Sequence, residues 1–84
     1  MKPVVIYTTN YCTFCVKAKE LFRSKGVRFE EIDVTSDDEK RQTLVDRTGG
    51  LRTVPQIFIG ETHVGGFSDL SLLEKQGKLD ALLQ

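Results

Sequence analysis

The sequence predicts an α/β fold in which one four-stranded mixed sheet carries helices on both faces. Three observations lead there. Short apolar runs alternate with segments of helical period, in the order βαβαββα plus a short tail helix. The first half reads strand–helix–strand, so its two strands run parallel with a right-handed crossover. The second half sets two strands either side of a Gly60-Glu61-Thr62 turn and ends in a helix, which adds an antiparallel hairpin to the sheet.

Each element has a local reason. Pro3 lacks an amide hydrogen and fits only the start or edge of a strand. Val4 to Thr8 then reads as a buried strand, and Thr9-Asn10-Tyr11 as a short loop. A helix follows from Thr13 to Lys25. Ala18, Leu21 and Phe22 share one face, while Lys17, Lys19, Glu20 and Arg23 lie mostly outside. Gly26 sits where a left-handed cap ends it. Val27 to Val34 reads as the second strand, with imperfect alternation. Ser36-Asp37-Asp38-Glu39 fits a capping box, in which the Ser36 hydroxyl bonds the amide three residues on and Glu39 reaches back. The helix it opens turns Leu44 and Val45 inward and stops at Gly49-Gly50. Gln56 to Ile59 is the third strand and His63-Val64 a short fourth. Gly65-Gly66 break the chain. Ser68 or Asp69 caps the next helix, which ends near Gly77, and Leu79 to Leu83 form the tail helix.

The 84 residues allow one domain, 1–84, and no second. Twelve basic and twelve acidic residues cancel, so no nucleic-acid footprint is visible. The longest apolar runs are too short to cross a membrane. Met1-Lys2-Pro3 leads straight into a strand without a signal-peptide pattern, and a cytoplasmic setting is the expectation. Reducing conditions there argue against a structural disulfide and for a catalytic or metal-binding pair.

That pair is Cys12-Thr13-Phe14-Cys15, which holds both cysteines of the chain where a strand hands over to a helix. The first amides of a helix have no internal partners, and the helix dipole adds partial positive charge. Both favour a thiolate at Cys12. Cys15 lies a turn deeper. Cys12 therefore reads as the attacking nucleophile and Cys15 as the resolving thiol. The C-x-x-C spacing also suits zinc, but a closed site needs four ligands and only His63 remains to join the pair.

Two further motifs stand at matching places: Thr53-Val54-Pro55 before the third strand, and Gly65-Gly66-Phe67-Ser68-Asp69-Leu70 before the last main helix. With the cysteine pair they resemble the glutaredoxins of the thioredoxin superfamily, in order and over essentially the whole chain. The resemblance implies a thioredoxin-like fold. It also implies a glutathione-dependent thiol-disulfide oxidoreductase, active as a monomer, that reduces protein disulfides and glutathionylated proteins. In the glutathione site it implies, Pro55 is cis and packs beside Cys12. Val54 offers its backbone amide and carbonyl to the cysteinyl part of glutathione, and Thr53 joins the same site. Phe14 lines the groove. Gly66 lets the chain turn, the amides of Phe67 and Ser68 hold the γ-glutamyl carboxylate, and Asp69 takes its ammonium.

The departures from the family are specific. Thr9 stands where many members have a lysine that pairs with the glycyl carboxylate; Arg47 or Arg52 is a substitute source of charge, although each reads first as a solvated surface arginine. Thr13 stands where the commonest motif has proline, and Phe14 where it has tyrosine. Members lacking that proline are more often those that hold an iron–sulfur cluster. The alternative reading is thus a [2Fe–2S] carrier, a dimer using Cys12 and bound glutathione. A narrower option is a donor reduced by thioredoxin reductase, against which Ser68-Asp69 weighs. His63 reads as an exposed strand residue, Tyr7 and Tyr11 as packing residues, and Lys17, Lys19, Arg23 and Lys25 as a solvated cationic face.

Overall fold

Pro3 stays outside the sheet ladder, and β1 (Val4–Thr8) begins immediately after it; the computed structural model describes residues Met1 to Gln84. The other elements are α1 (Thr13–Ser24), β2 (Glu30–Asp33), α2 (Asp38–Thr48), β3 (Gln56–Ile59), β4 (Thr62–Gly65), α3 (Phe67–Lys75) and α4 (Leu79–Leu83). The strands lie in the order β2-β1-β3-β4. β1 runs parallel to β2 and antiparallel to β3, and β3 pairs antiparallel with β4. The sheet is therefore mixed.

Its two central strands divide their side chains between the faces at period two. Val4, Ile6, Ile57 and Ile59 pack with Ala18 and Phe22 of α1, Leu70 of α3, and Leu79 and Leu83 of α4. Tyr7 and Phe58 face the other way, onto Leu44 of α2 and Val34. All four residues of β3 are buried, so covering on both faces makes it read as a continuous run.

The structure moves several boundaries. β2 keeps only Glu30 to Asp33 of the longer strand expected from Val27, because only these residues hold register with Val5–Thr8. Val27 is buried in the larger core instead, and Phe29 packs beside Phe22 with ring centres 6.2 Å apart. The cap of α2 is Asp37, not Ser36: its Oδ1 accepts from the Lys40 amide at 3.0 Å. Neither Ser68 nor Asp69 occupies the N-cap of α3. Gly66 does, and Asp69 reaches back to accept from its amide at 3.1 Å.

The cationic face is not simply solvated. Lys25 lies 2.9 Å from both Glu74 and Asp80, and those carboxylates raise its pKa. It thereby ties the end of α1 to α3 and α4. Lys19 pairs with Glu31 at 2.8 Å, and the cations of Lys17 and Arg23 lie over the rings of Phe14 and Phe29.

Candidate active site

The loop after β1 is tied to the segment that follows β2. The Asn10 amide donates to Thr35 Oγ1 at 2.9 Å, and Asp33 accepts from the Thr35 amide at 2.8 Å. The Thr35 hydroxyl, which also donates to Asp33, and the Thr35 amide together keep the Asp33 carboxyl below its usual range. The chain then enters α1 with Cys12 as N-cap residue, in extended conformation. Cys12 Sγ accepts from the Cys15 amide at 3.0 Å, a donor the first turn would otherwise leave unpaired. The same sulfur lies 3.7 Å from the Val54 carbonyl oxygen, to which a thiol form donates.

The two cysteines are chemically unequal. Cys12 is half-buried and Cys15 fully buried, and both are free thiols. Burial, seconded by the hydrogen bond with Cys12, pushes the Cys15 thiol up to about 12; a backbone bond from Thr9 opposes this in part. Cys15 is thus held protonated at neutral pH.

The Val54–Pro55 peptide bond is cis and brings Val54 against Cys12. From there a groove of about 370 Å³ runs toward the start of α3. Phe14, Thr53, Val54, Pro55, Gly66, Phe67, Ser68 and Asp69 all line it. The structure therefore gathers every expected groove residue into one depression, from three separate stretches of chain. Phe14 and Phe67 form its lip, stacked at 6.1 Å with 25° between the rings. At the far end the chain turns through Gly65, whose φ is +111°. Cys12 meets this groove at Val54 and opens on its other side into a hollow of about 410 Å³, shared with Thr9, Tyr11, Thr13 and Lys19.

Gly65, part of the third motif, also lines the groove, and so do Leu51 and Gln56, which were missed from the sequence. Gln56 had a visible signal: it is the polar residue in Gln56-Ile57-Phe58-Ile59, and it is buried. Leu51 had a weaker one, an apolar residue in a loop of glycine, arginine and threonine. Neither Arg47 nor Arg52 borders the groove. Arg47 lies 4.0 Å over the Phe58 ring and donates to the Tyr7 hydroxyl at 3.1 Å, so it is engaged on the α2 face. Lys19 is the cation beside the Cys12 hollow, and its bond, with that of Thr8, holds Glu31 below the usual carboxylate range. Tyr7 is buried as a packing residue, whereas Tyr11 is 72% exposed and packs little.

Thr9, in the place of the family lysine, is 4% exposed, and its Oγ1 is buried without a hydrogen-bond partner. An unpaired buried hydroxyl costs about 1–3 kcal/mol. Thr9→Val keeps the shape and removes that cost. It is expected to raise unfolding stability by about 1 kcal/mol in a urea titration; an equal or lower midpoint would show that the hydroxyl has a partner, such as an internal water.

Comparison with known proteins agrees with this geometry. The glutaredoxin family profile matches residues 4–64. A glutaredoxin of Pseudomonas aeruginosa is 58% identical over 83 residues, covering 99% of this chain and 98% of that one. Glutaredoxin 3 of Escherichia coli is 45% identical over 84 residues and the full length of both. Among solved structures, a buckwheat glutaredoxin–glutathione complex superposes with a TM-score of 0.86 at 36% identity, over 98% of this chain and 76% of that one. The four-stranded sheet with its helices is thus a thioredoxin-like fold, and Cys12 and Cys15 stand at the head of its first helix. The chain belongs to the glutaredoxin family of thiol-disulfide oxidoreductases.

Proposed function

We propose that this oxidoreductase is glutathione-dependent, with Cys12 as nucleophile and Cys15 as resolving thiol. The observation that carries the reading is the groove beside Cys12. It presents the backbone of Val54, just before β3, for pairing with a peptide. It also presents helix N-terminal amides at Phe67 and Ser68 for a carboxylate, and the Asp69 carboxylate for an ammonium. A volume of about 370 Å³ suits a tripeptide. The buckwheat relative was solved as a complex with glutathione.

The reaction follows from the unequal thiols. The Cys12 thiolate attacks the glutathione sulfur of a mixed disulfide; a Cys12–glutathione disulfide forms and the protein thiolate leaves. A second glutathione thiolate attacks that glutathione sulfur, which gives glutathione disulfide and returns the Cys12 thiolate. For a protein disulfide, the Cys12 thiolate attacks one sulfur, forming a Cys12–protein mixed disulfide and releasing the other sulfur as a thiolate. Cys15 then loses its proton and attacks Cys12 Sγ, which closes the Cys12–Cys15 disulfide and releases the second protein thiolate. Two glutathiones reopen the ring and leave as glutathione disulfide. Thiolates, not thiols, attack. A Cys15 held protonated therefore disfavours ring closure, whereas the first route needs only Cys12.

Hydroxyethyl-disulfide reduction coupled to glutathione reductase tests the reading, and a rate saturable in glutathione is the expected result. Equal turnover with thioredoxin reductase and no glutathione would replace it with the donor reading. In the same assay Cys15→Ser is expected to retain roughly half or more of the rate, because the first route needs only Cys12. A loss as complete as that from removing Cys12 would make the two-thiol route obligatory.

The cluster reading rests on Thr13, the exposed first residue of α1, in place of proline. One chain fits a [2Fe–2S] group only in part, since Cys12 is its single accessible thiol and Cys15 is 0% exposed. The remaining sulfur ligands would come from a second copy and from two glutathiones. Anaerobic reconstitution that leaves the protein colourless and monomeric removes this reading.

A further inference from the structure

His63 lies outside the groove, yet it is linked to it. Its Nε2 is 2.7 Å from Gln56 Oε1, and its ring stacks on Phe58 at 4.8 Å and 22°. His63 pairs with Phe58 across the β3–β4 ladder, and Gln56 lies two residues from Phe58 on the same face. Gln56 is 4% exposed, and its Nε2 donates to Thr53 Oγ1 at 3.1 Å. Gln56 and Thr53 both line the groove.

The direction of this chain of bonds matters. Gln56 Oε1 only accepts, so His63 carries a proton on Nε2. The Gln56 amide nitrogen only donates, so Thr53 Oγ1 acts as its acceptor. A hydroxyl has one hydrogen, and that of Thr53 is then left to donate elsewhere. Turning the amide over reverses each step: Thr53 would donate to Gln56, and the groove would lose its hydroxyl donor. Burial keeps Gln56 from exchanging these partners for water. With its proton on Nε2, the imidazole holds the amide with its nitrogen toward Thr53.

We propose that His63 is a positioning residue that, through Gln56, holds the Thr53 hydroxyl as a donor to a carboxylate of the peptide seated in the groove. The inference rests on the groove being the glutathione site. It gives a role to the one histidine of the chain and to a buried glutamine that no groove motif includes.

The test is steady-state kinetics of glutathione mixed-disulfide reduction. His63→Ala is expected to raise the KM for glutathione about fivefold with kcat held. His63→Gln, whose amide nitrogen can donate in the same place, should restore KM to within about twofold of wild type. Thr53→Val should raise KM at least as much as His63→Ala. Because the residues act in series, the double variant should be no worse than Thr53→Val alone. An unchanged KM in His63→Ala, failure of His63→Gln to restore it, or full additivity with Thr53→Val each overturns the proposal. If the wild-type protein itself shows no saturable glutathione dependence, the groove reading fails first and takes the relay with it.

Discussion

Replacing Cys12 by serine is expected to end turnover, with a fall of at least about 10³-fold in reductase-coupled disulfide reduction. The substitution is informative because it leaves the fold intact. Cys12 is the N-cap of α1, and serine is among the favoured residues there, with an oxygen able to accept from the Cys15 amide. Unfolding curves of the variant should therefore match wild type within about 0.5 kcal/mol. What is lost is the only accessible thiol. A serine hydroxyl cannot form or release a disulfide. Cys15 cannot substitute, since it is fully buried and its thiol is pushed up to about 12. Turnover above a few per cent in the folded variant would contradict the assignment of the nucleophile.

The sequence carried the parts of this site that depend on local rules. A cysteine pair at a strand–helix junction, a proline before a strand and a double glycine before a helix each declare a backbone geometry. The groove is lined by the residues those geometries imply. Element order was legible for the same reason, since period and punctuation are local. What the sequence did not carry was set by tertiary packing. The start of β2 depends on where β1 offers partners, so Val27 and Phe29 read as strand but serve the core. The cap of α2 was a choice among three adjacent polar residues, which geometry gave to Asp37. The charges looked solvated in sequence because their partners come from distant segments, Lys25 with Glu74 and Asp80, and Arg47 with Tyr7 and Phe58. Gln56 and His63 meet only once β3 and β4 pair, so their link to Thr53 had no sequence signal beyond one polar residue in an apolar run.

Gly65→Ala is expected to damage the groove while leaving the cysteines in place. Two effects add. The φ of +111° is rarely open to a residue with a side chain, which costs about 1–3 kcal/mol. A Cβ at this position would run into Asp69 Oδ2, so the carboxylate must shift. That removes its 3.1 Å bond to the Gly66 amide and unpairs the first turn of α3, for about another 1 kcal/mol. Stability should fall by about 2–4 kcal/mol in total. The KM for glutathione should rise at least about tenfold, because Asp69 and the α3 amides form one end of the groove. The rate at saturating glutathione should change far less, since Cys12 is held by a different helix. Gly77→Ala is the control. It too has a positive φ, of +70°, but nothing lies within 4 Å of a Cβ there. It should cost about 1 kcal/mol of stability and leave KM unchanged. Removing the displaced group in Gly65→Ala/Asp69→Ala should recover part of the lost stability but none of the binding. A Gly65→Ala protein with wild-type KM would mean that the substrate does not sit against α3, and the groove would lose its claim to be the binding site.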